Sequence, residues 1–317
     1  MYKPIGITMG DPGGIGPELV SKLLLTDQKN ILIYTNFECL KKFAPTVNLN
    51  DPRLVNVTGD FDIPNLTSGK PSSIGGHISL TILKRAVADC ITEKLSAIVT
   101  GPISKFSWHL AGQNWPGHTE LLAYLANPIN PPKVRMLLYG ENLMVVLNSV
   151  HIPLKDAILS LNESNLIETV EITDRWYRKN FGKKPQIILA ALNPHAGENG
   201  ILGNEEIEIL KPAVLKATRC GIKISGPCPA DTVFFKNKNK DSIEPNKIIV
   251  ALYHDQGLIP FKLNGLETGI NTTIGLPFLR TSVDHGTAFD IAGKNLASVK
   301  PMLVALSMTR KILSNRR

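Results

Sequence analysis

Short runs of apolar and β-branched residues alternate along the chain with longer segments whose apolar positions recur every three to four residues. The first pattern predicts strands and the second predicts helices. Strands are expected at residues 5–9, 31–34, 97–100, 134–138, 143–147, 186–190 and 247–252. Helices are expected at residues 17–25, 76–93, 119–125, 163–180, 203–220 and 297–313. This alternation predicts an α/β protein with a largely parallel sheet.

Several predicted strands run directly into segments rich in Gly, Pro, His, Asp and Asn. These segments comprise residues 10–18, 101–105, 193–200 and 253–257. Open α/β sheets bind their ligands beyond the carboxyl ends of the strands. We therefore expect the functional residues in these loops.

The composition is ordinary for a globular protein, with 43% hydrophobic and 20% charged residues among 317. That length suffices for one large α/β domain or two moderate ones. Apolar runs stay well short of the roughly 20 residues that span a bilayer, so no membrane association is expected. Secretion is not expected either, because no signal-like apolar segment with a cleavage site precedes the first strand. The four cysteines lie far apart, which predicts reduced thiols in a cytoplasmic protein.

The net charge of +8 predicts attraction of an anionic, phosphorylated small molecule. Part of the charge lies in the basic C-terminal tail. Nucleic acid is not an expected partner, because aromatic residues are only 6% and no basic run is interleaved with them.

Residues 10–18 form a glycine-rich segment in which Pro17 suits a first helical position and Glu18 suits the positive end of a helix. Two interpretations stay open from the residues alone. The segment either lines an active site or forms a tight strand-to-helix turn.

Five of the seven histidines occur in dense polar motifs; they are His118, His151, His195, His254 and His285. Neutral imidazole binds zinc and other first-row divalent ions, and three such ligands would leave coordination positions for a substrate. Nearby acids, namely Glu198, Asp231 and Asp255, could orient the rings. Because the separations are long, structural hydrogen bonding remains an alternative role for each histidine.

Three further polar residues, Lys262, Asn271 and Arg280, lie among Gly, Pro and Asn residues near the end of the chain. Arginine can bind a carboxylate or phosphate with two hydrogen bonds, and lysine acts as a point charge. Ligand contact is the favoured interpretation, with surface cations as the alternative.

The chain has neither the G-x-G-x-x-G nor the P-loop nucleotide fingerprint. Residues 284–294 instead resemble the loop that holds the adenosine half of NAD(P) in the β-decarboxylating dehydrogenases. An ordered set of motifs over nearly the whole chain resembles the 4-hydroxythreonine-4-phosphate dehydrogenase family. The set comprises residues 10–18, 100–105, 117–120, 150–153, 192–200, 226–232, 253–262 and 271–293.

This resemblance implies a two-domain, isopropylmalate-dehydrogenase-like α/β fold with an active cleft between the domains. The first domain would comprise residues 1–130 and 286–317, and the second residues 131–285. The resemblance also implies a homodimer with a shared active site. A divalent metal (Zn, Mg or Co) would be held by His151, His195 and His254, one of them supplied by the partner subunit.

The resemblance further implies the remaining site residues. Substrate contacts would be made by His118, Thr119, Lys262, Asn271 and Arg280. NAD or NADP would be bound by His285, Gly286, Thr287, Ala288, Asp290 and Asn295. A proton acceptor is also needed, for which Asp255 and Asp231 are the candidates.

The implied reaction is metal-dependent, NAD(P)-linked oxidation of 4-phosphooxy-L-threonine at C3. Decarboxylation to 3-amino-2-oxopropyl phosphate would follow, in pyridoxal phosphate biosynthesis. The nearest alternative is a related dehydrogenase acting on phosphoerythronate or phosphothreonate. Phosphate acyl transfer, metal-dependent hydrolysis and a non-enzymatic binding module are the more distant alternatives.

Overall fold

The structure, a computed structural model, describes residues 3–140, 142–238, 246–264 and 269–316. The chain divides into two compact units. Unit 1 comprises Met1–Pro132 and Leu276–Thr309, and unit 2 comprises Lys133–Gly275 and Arg310–Arg317. The predicted division at residues 130 and 285 stays a prediction about folding domains.

Strands and helices alternate through most of the chain, which confirms the predicted α/β class. The strands are β1 Ile5–Thr8, β2 Ile31–Thr35, β3 Leu54–Asn56, β4 Ala97–Thr100, β5 Arg135–Tyr139, β6 Met144–Leu147, β7 Gln186–Ala190, β8 Ile224–Cys228, β9 Lys247–Ala251, β10 Ile270–Ile274 and β11 Leu279–Ser282. The α-helices are α1 Gly16–Leu24, α2 Phe37–Phe43, α3 Ser73–Ile91, α4 Lys105–Leu110, α5 His118–Ala126, α6 Leu154–Leu159, α7 Glu163–Phe181, α8 Lys211–Arg219, α9 Ala230–Lys236, α10 His254–Leu263 and α11 Lys300–Asn315.

In unit 1 the described strands pair in the order β3-β2-β1-β4-β11, and every neighbouring pair is parallel. All residues of β1 and β4 are buried. Strands buried on both faces read as continuous apolar runs, because helices cover both sides of a parallel sheet. This explains why the sequence predicts β1 and β4 so closely.

In unit 2 the described strands pair in the order β10-β5-β6-β9-β7-β8. β5 is antiparallel to both β10 and β6, whereas β6, β9, β7 and β8 run parallel. The core of this unit includes Val145 and Leu147 of β6, Ile249 and Ala251 of β9, and Phe261 of α10. The carboxyl ends of β6, β9 and β7 therefore meet at one edge, and each leads into a histidine-bearing segment.

Four strands and five helices in the described regions were not predicted. The missed strands are β3, β8, β10 and β11. β3 is only three residues long, β8 contains Gly226 and Pro227, and β10 and β11 carry polar residues where alternation would need apolar ones. The missed helices, α2, α4, α6, α9 and α10, have ten residues or fewer, too short for a strong 3.6-residue period.

The helix predicted at 203–220 begins later than expected. It starts as a π-helix, Glu206–Leu210, and continues as α8. Among the described helices, none combines the length and apolarity required to cross a bilayer.

Candidate functional site

The glycine-rich segment 10–18 packs directly against residues 284–297, which include the loop predicted to bind a dinucleotide and are called the dinucleotide segment below. The backbone N–H of Ile15 donates to the carbonyl of Thr287 (3.0 Å). A Cβ on Gly14 would lie 2.6 Å from that same carbonyl oxygen, so only glycine allows this approach. The structure thus gives the segment a supporting role that neither sequence interpretation had named.

Helix α1 fixes the far end of the dinucleotide segment with one acid and one base. The carboxylate of Glu18 accepts hydrogen bonds from the backbone N–H groups of Gly293 (2.6 Å) and Ala297 (3.2 Å). One turn later, Lys22 donates to the carbonyls of Asn295 (2.9 Å) and Ala297 (2.6 Å). Because these are main-chain contacts, they set the path of the segment whatever its side chains do.

The dinucleotide segment itself follows β11 and holds all six predicted cofactor residues. Ala288 and Asn295 adopt left-handed backbone conformations (φ 45° and 58°), which are uncommon outside glycine. The Nδ1 of His285 lies 3.0 Å from the carbonyl of Gly286. A carbonyl only accepts hydrogen bonds, so this contact places a proton on Nδ1. The Nε2 of the same ring is enclosed and has no hydrogen-bond partner among the described residues.

The anion cluster of unit 1 is defined as Arg280, Thr100 and His118. Arg280 lies near the start of β11, Thr100 ends β4, and His118 begins α5. Arg280 is only 3% exposed. The side chain of Arg280 donates from Nε (3.2 Å) and Nη2 (2.7 Å) to the hydroxyl of Thr100, which is fully buried. These two bonds hold one edge of the guanidinium in a fixed plane.

Burial strongly perturbs both ionisable members of the anion cluster. Burial lowers the pKa of Arg280 to about 9, which still leaves the guanidinium charged at neutral pH. Burial, and then the charge of Arg280, hold the pKa of His118 well below its ordinary value. His118 keeps part of its surface accessible, but its Nε2 is enclosed without a hydrogen-bond partner among the described residues. A fixed cation beside a neutral imidazole is suited to bind an anionic group.

A buried tryptophan holds the ring of His118. The rings of Trp108 and His118 meet edge to face at 5.6 Å, and the indole N–H donates to Ser79 of α3 (3.0 Å). Trp108 is completely buried. Thr119, the other residue predicted here, is the next residue of α5 and is partly buried.

In unit 2 the structure brings two of the predicted metal ligands together. His151 follows β6, and His254 begins α10 directly after β9; their ring centroids lie 5.6 Å apart. We call these two residues the imidazole pair. The Nδ1 of His254 lies 2.6 Å from a carboxylate oxygen of Asp255. Carboxylates commonly orient metal-binding imidazoles in this way.

The third predicted ligand, His195, lies in an unusual turn after β7. Residues His195, Ala196, Gly197, Glu198 and Asn199 all have positive φ, between 44° and 79°. A left-handed turn costs about 1–2 kcal/mol for each residue other than glycine. Such strain persists only where neighbouring contacts enforce it, and it is concentrated at functional sites. The side chain of His195 is exposed.

One candidate proton acceptor, Asp255, contacts the imidazole pair, and the other, Asp231, lines a cavity together with Asp255. Asp231 of α9 and Asp255 of α10 line one cavity of about 490 Å³. Asp255 also lines a second cavity, of about 260 Å³, together with His151 and His254. Asp255 therefore has an observed contact as an orienting partner, whereas the role of either acid as a base stays a prediction.

The remaining predicted substrate residues of unit 2 differ in accessibility. Lys262 lies exposed in the last turn of α10. Asn271 lies on β10, and its Oδ1 is enclosed without a hydrogen-bond partner in the part of the chain that is described. An enclosed acceptor of this kind is suited to receive a hydrogen bond from a ligand.

Comparison with known proteins decides the family. The profile of the family described as pyridoxal phosphate biosynthetic protein PdxA matches residues 20–309. The chain belongs to the PdxA family. Its relatives include a D-threonate 4-phosphate dehydrogenase of Salmonella typhimurium, which is 38% identical with 98% of this chain and 99% of the relative covered. A 4-hydroxythreonine-4-phosphate dehydrogenase of Aquifex aeolicus is also 38% identical, with 99% of each chain covered.

The fold agrees with that of solved PdxA-family enzymes. A crystal structure of 4-hydroxythreonine-4-phosphate dehydrogenase from Klebsiella pneumoniae superposes with a TM-score of 0.86 at 36% identity, covering 98% of this chain and 100% of that one. The named relatives in the PdxA family are dehydrogenases, so the protein is an enzyme and an oxidoreductase. A dehydrogenase of this kind implies a nicotinamide cofactor.

The donor set of the imidazole pair fits a divalent cation only in part. Two imidazoles on one tetrahedral ion, with ring nitrogens about 2.0–2.1 Å from it, would have centroids about 5 Å apart, close to the separation seen here. Within the four described stretches of the chain, however, no three His, Cys, Asp or Glu side chains gather around one point. His195 is therefore not part of a complete ligand set within a single copy of this PdxA-family chain.

Sequence reasoning missed the residues that support the site in this PdxA-family protein. They are Thr100, Glu18, Lys22, Trp108 and Glu206. Thr100, Glu18 and Lys22 contact segments far away in sequence, 180 residues in the case of Thr100 and Arg280, whereas Trp108 and Glu206 contact residues only 10 to 14 positions away. Only Glu18 carried a signal, because an acid in the first helical turn was noticed there, but it indicated helix stability rather than a partner in another loop.

Proposed function

We propose that this protein catalyses NAD(P)-linked oxidation of 4-phosphooxy-L-threonine at C3, followed by decarboxylation to 3-amino-2-oxopropyl phosphate. The PdxA-family membership and the name of the Aquifex aeolicus relative support this reaction. The observation that carries the proposal is the imidazole pair, with its orienting carboxylate, in a chain of that family.

In this proposal the anion cluster holds a charged end of the substrate. Two hydrogen bonds to Thr100 fix the guanidinium of Arg280, whose positive charge is buried. A buried positive charge is costly without a partner, so binding an anionic group stabilises it. His118, neutral and with an enclosed Nε2, adds a hydrogen bond. Thr119, Lys262 and Asn271 supply the remaining polar contacts and orient the reacting carbon.

The imidazole pair and His195 would hold a divalent cation, zinc, magnesium or cobalt. When bound, such an ion stabilises negative charge on the substrate oxygens as a Lewis acid. The residues of the chain do the rest: Asp255 keeps the ring of His254 in its orientation, and Asp231 or Asp255 takes the proton from the C3 hydroxyl. The segment from His285 to Asn295 would hold the nicotinamide cofactor, which accepts the hydride.

The proposal includes a cytoplasmic homodimer in which His195 reaches the imidazole pair of the partner. Two observations support it. Within one chain, His151 and His254 lie together, and among the described residues no third ligand joins them. Large exposed apolar side chains also lie on the two segments that carry the pair. These are Ile152, Leu154, Ile259 and Leu263, between 45% and 83% exposed. Exposed apolar patches are typical of contact surfaces between proteins.

Hybrid dimers test this arrangement. Mixing His151→Ala with His195→Ala chains should restore part of the activity, because one of the two sites in each mixed dimer then contains three intact ligands. Mixing His151→Ala with His254→Ala chains should not restore it, because every site then lacks one ligand. The opposite pattern would place the subunit boundary between His151 and His254.

The second candidate substrate is D-threonate 4-phosphate. It is favoured by the Salmonella typhimurium relative, which is as similar to this chain as the Aquifex aeolicus one. The two substrates share the phosphate and the C3 hydroxyl and differ at C2, which bears an amine in one and a hydroxyl in the other.

Turnover of purified enzyme separates the two candidates. Both compounds, together with phosphoerythronate, are offered with NAD or NADP and with zinc, magnesium or cobalt. Reduced nicotinamide formed from 4-phosphooxy-L-threonine with the highest kcat/KM supports the first candidate. A higher kcat/KM for D-threonate 4-phosphate replaces it with the second, and absence of cofactor reduction with every compound removes both.

A further inference from the structure

The left-handed turn that carries His195 is tied to one buried acid. Glu206, the first residue of the π-helix, is completely buried. One of its carboxylate oxygens accepts from the backbone N–H groups of Leu192 (2.8 Å) and Asn193 (2.7 Å). The other accepts from the side-chain amide of Asn193 (2.9 Å). The carboxylate thus fixes the two residues where β7 ends and the turn begins.

The same carboxylate also limits the middle of the turn. A Cβ on Gly197 would lie 2.8 Å from Oε2 of Glu206, and the φ of Gly197 is +79°. The turn therefore approaches Glu206 at a place where only glycine fits. Short π-helical segments such as Glu206–Leu210 occur frequently at functional sites.

The charge state of Glu206 agrees with this geometry. Burial alone would raise its pKa, but the hydrogen bonds from Asn193 and Leu192 outweigh burial and lower it. The group is therefore an ionised carboxylate at neutral pH, and all of the contacts that it receives from the loop are from N–H donors.

We propose that Glu206 is a positioning residue for the metal site: it holds the left-handed turn 195–199 so that the imidazole of His195 is presented as a ligand. This inference rests on the proposed function, because it takes His195 to be a metal ligand. Glu206 does not touch the metal. It acts through Leu192, Asn193 and the strained turn.

The neighbouring acid offers a matched control. Glu205 accepts from the same side-chain amide of Asn193 (2.6 Å). In Glu206→Gln one carboxylate oxygen becomes an NH₂ group. If this group faces the side-chain amide of Asn193, two donors oppose each other; if it faces the backbone, the N–H groups of Leu192 and Asn193 lose their acceptor. Glu205→Gln alters only the shared side-chain contact, so the end of β7 should remain in place.

The test is a titration of the apo-protein with Co²⁺, followed by the visible spectrum of the ion and by calorimetry. Glu206→Gln should weaken Co²⁺ binding about 10- to 100-fold, the range typical for partners that orient metal ligands. Its spectrum should approach that of His195→Ala. The Glu206→Gln/His195→Ala double variant should lose little more than His195→Ala alone, because both changes act through one ligand. Glu205→Gln should bind Co²⁺ within about threefold of wild type, well short of the weakening expected of Glu206→Gln.

The outcomes separate this inference from the function on which it rests. Wild-type protein that binds no Co²⁺, or His195→Ala protein that binds it normally, removes the proposed metal site itself. Normal Co²⁺ binding by Glu206→Gln, with weak binding by His195→Ala, overturns only the positioning role.

A second variant decides the question if Glu206→Gln does not fold. Gly197→Ala leaves the carboxylate intact but places a methyl group against it and strains the turn. It should reduce Co²⁺ affinity in the same direction. The apo-protein should still fold, with its unfolding midpoint lowered by about 2–4 °C for each kcal/mol of strain. Unchanged affinity in this variant would also count against the inference.

Discussion

The anion cluster of unit 1 and the imidazole pair of unit 2 are built in opposite ways. Arg280 is 3% exposed and is hydrogen-bonded by a buried threonine of the neighbouring strand. In the imidazole pair, the side chain of His254 is 33% exposed and that of its partner Asp255 is 70% exposed. The first group is completed by its own chain, whereas the second lacks its third ligand.

Because of this difference, substitutions in the two groups should affect folding and function to different extents. A buried guanidinium is costly to place in the core, and Thr100 compensates for that cost only in part. Changes there should affect both binding and folding. An exposed imidazole contributes little to folding, so changes in the pair should remove function and leave the fold intact.

The largest effect is expected in the imidazole pair. His254→Ala should reduce metal-dependent turnover by more than about 100-fold, because it removes a ligand outright where even an orienting partner is worth 10- to 100-fold. The unfolding midpoint of the apo-protein should stay close to wild type. Steady-state kinetics and thermal unfolding measure the two quantities.

The control for that change is His109→Ala. His109 is also exposed, and its Nδ1 lies 2.8 Å from the side chain of Asn114 rather than beside another histidine. Its loss should leave turnover unchanged. A large loss of apo stability in His254→Ala would contradict the contrast between the two groups.

The next effect is expected at the anion cluster. Arg280→Ala should weaken binding of the anionic substrate by about 2–4 kcal/mol, or roughly 30- to 1000-fold, because a desolvated charge contact is lost. The change should raise KM more than it lowers kcat. Arg280→Lys should not restore binding, since an ammonium cannot keep both the Thr100 contacts and a bidentate ligand contact.

A second arginine–threonine pair provides the comparison for Arg280. Arg135 of unit 2 donates from Nε to Thr169 (2.7 Å) and from Nη2 to Glu168 (2.7 Å). Arg135→Lys should lower stability while leaving KM unchanged. An unaltered KM in Arg280→Ala would show that Arg280 serves only the fold.

The sequence predicted seven of the eleven described strands, whereas the assignment of the site residues stays a prediction. β4 and β7 were predicted at both ends, because buried parallel strands are continuously apolar. β11 was missed because its Arg280 belongs to the anion cluster rather than to an apolar pattern. A buried charged residue thus interrupts the periodicity on which element prediction depends.

The supporting contacts could not be predicted at all from one sequence. The Glu206 carboxylate contacts a loop 13 and 14 residues earlier, and Glu18 contacts one 275 residues later. No periodicity relates such positions, since the folded path of the chain alone brings them together. The approach of His151 to His254, in contrast, was expected only through the resemblance to a known family.

A smaller effect should distinguish the two acids near the imidazole pair. Asp255→Asn should weaken metal binding about 10- to 100-fold, because the amide is a poorer acceptor for the Nδ1–H of His254. Asp231→Asn should leave metal affinity unchanged, since Asp231 lines the neighbouring cavity of about 490 Å³. Calorimetric titration with Co²⁺ measures both. Equal losses in the two variants would remove the orienting role of Asp255.

The smallest effect concerns the pH dependence of stability in unit 1. Burial, and then Arg280, hold the pKa of His118 low, so the unfolded chain takes up a proton near pH 6.5 that the folded protein does not. The stability due to neutral His118 is therefore complete above about pH 6.5 and declines as the pH falls below it. Between pH 6.5 and 5.5 protonation linked to this group can lower the free energy of unfolding by at most about 1.4 kcal/mol.

Urea unfolding should accordingly show a smaller acid-induced loss of stability in His118→Gln than in wild type. Replacement of the exposed His77 by Gln should leave that loss unchanged, and an identical loss in all three proteins would mean that His118 titrates like an exposed residue.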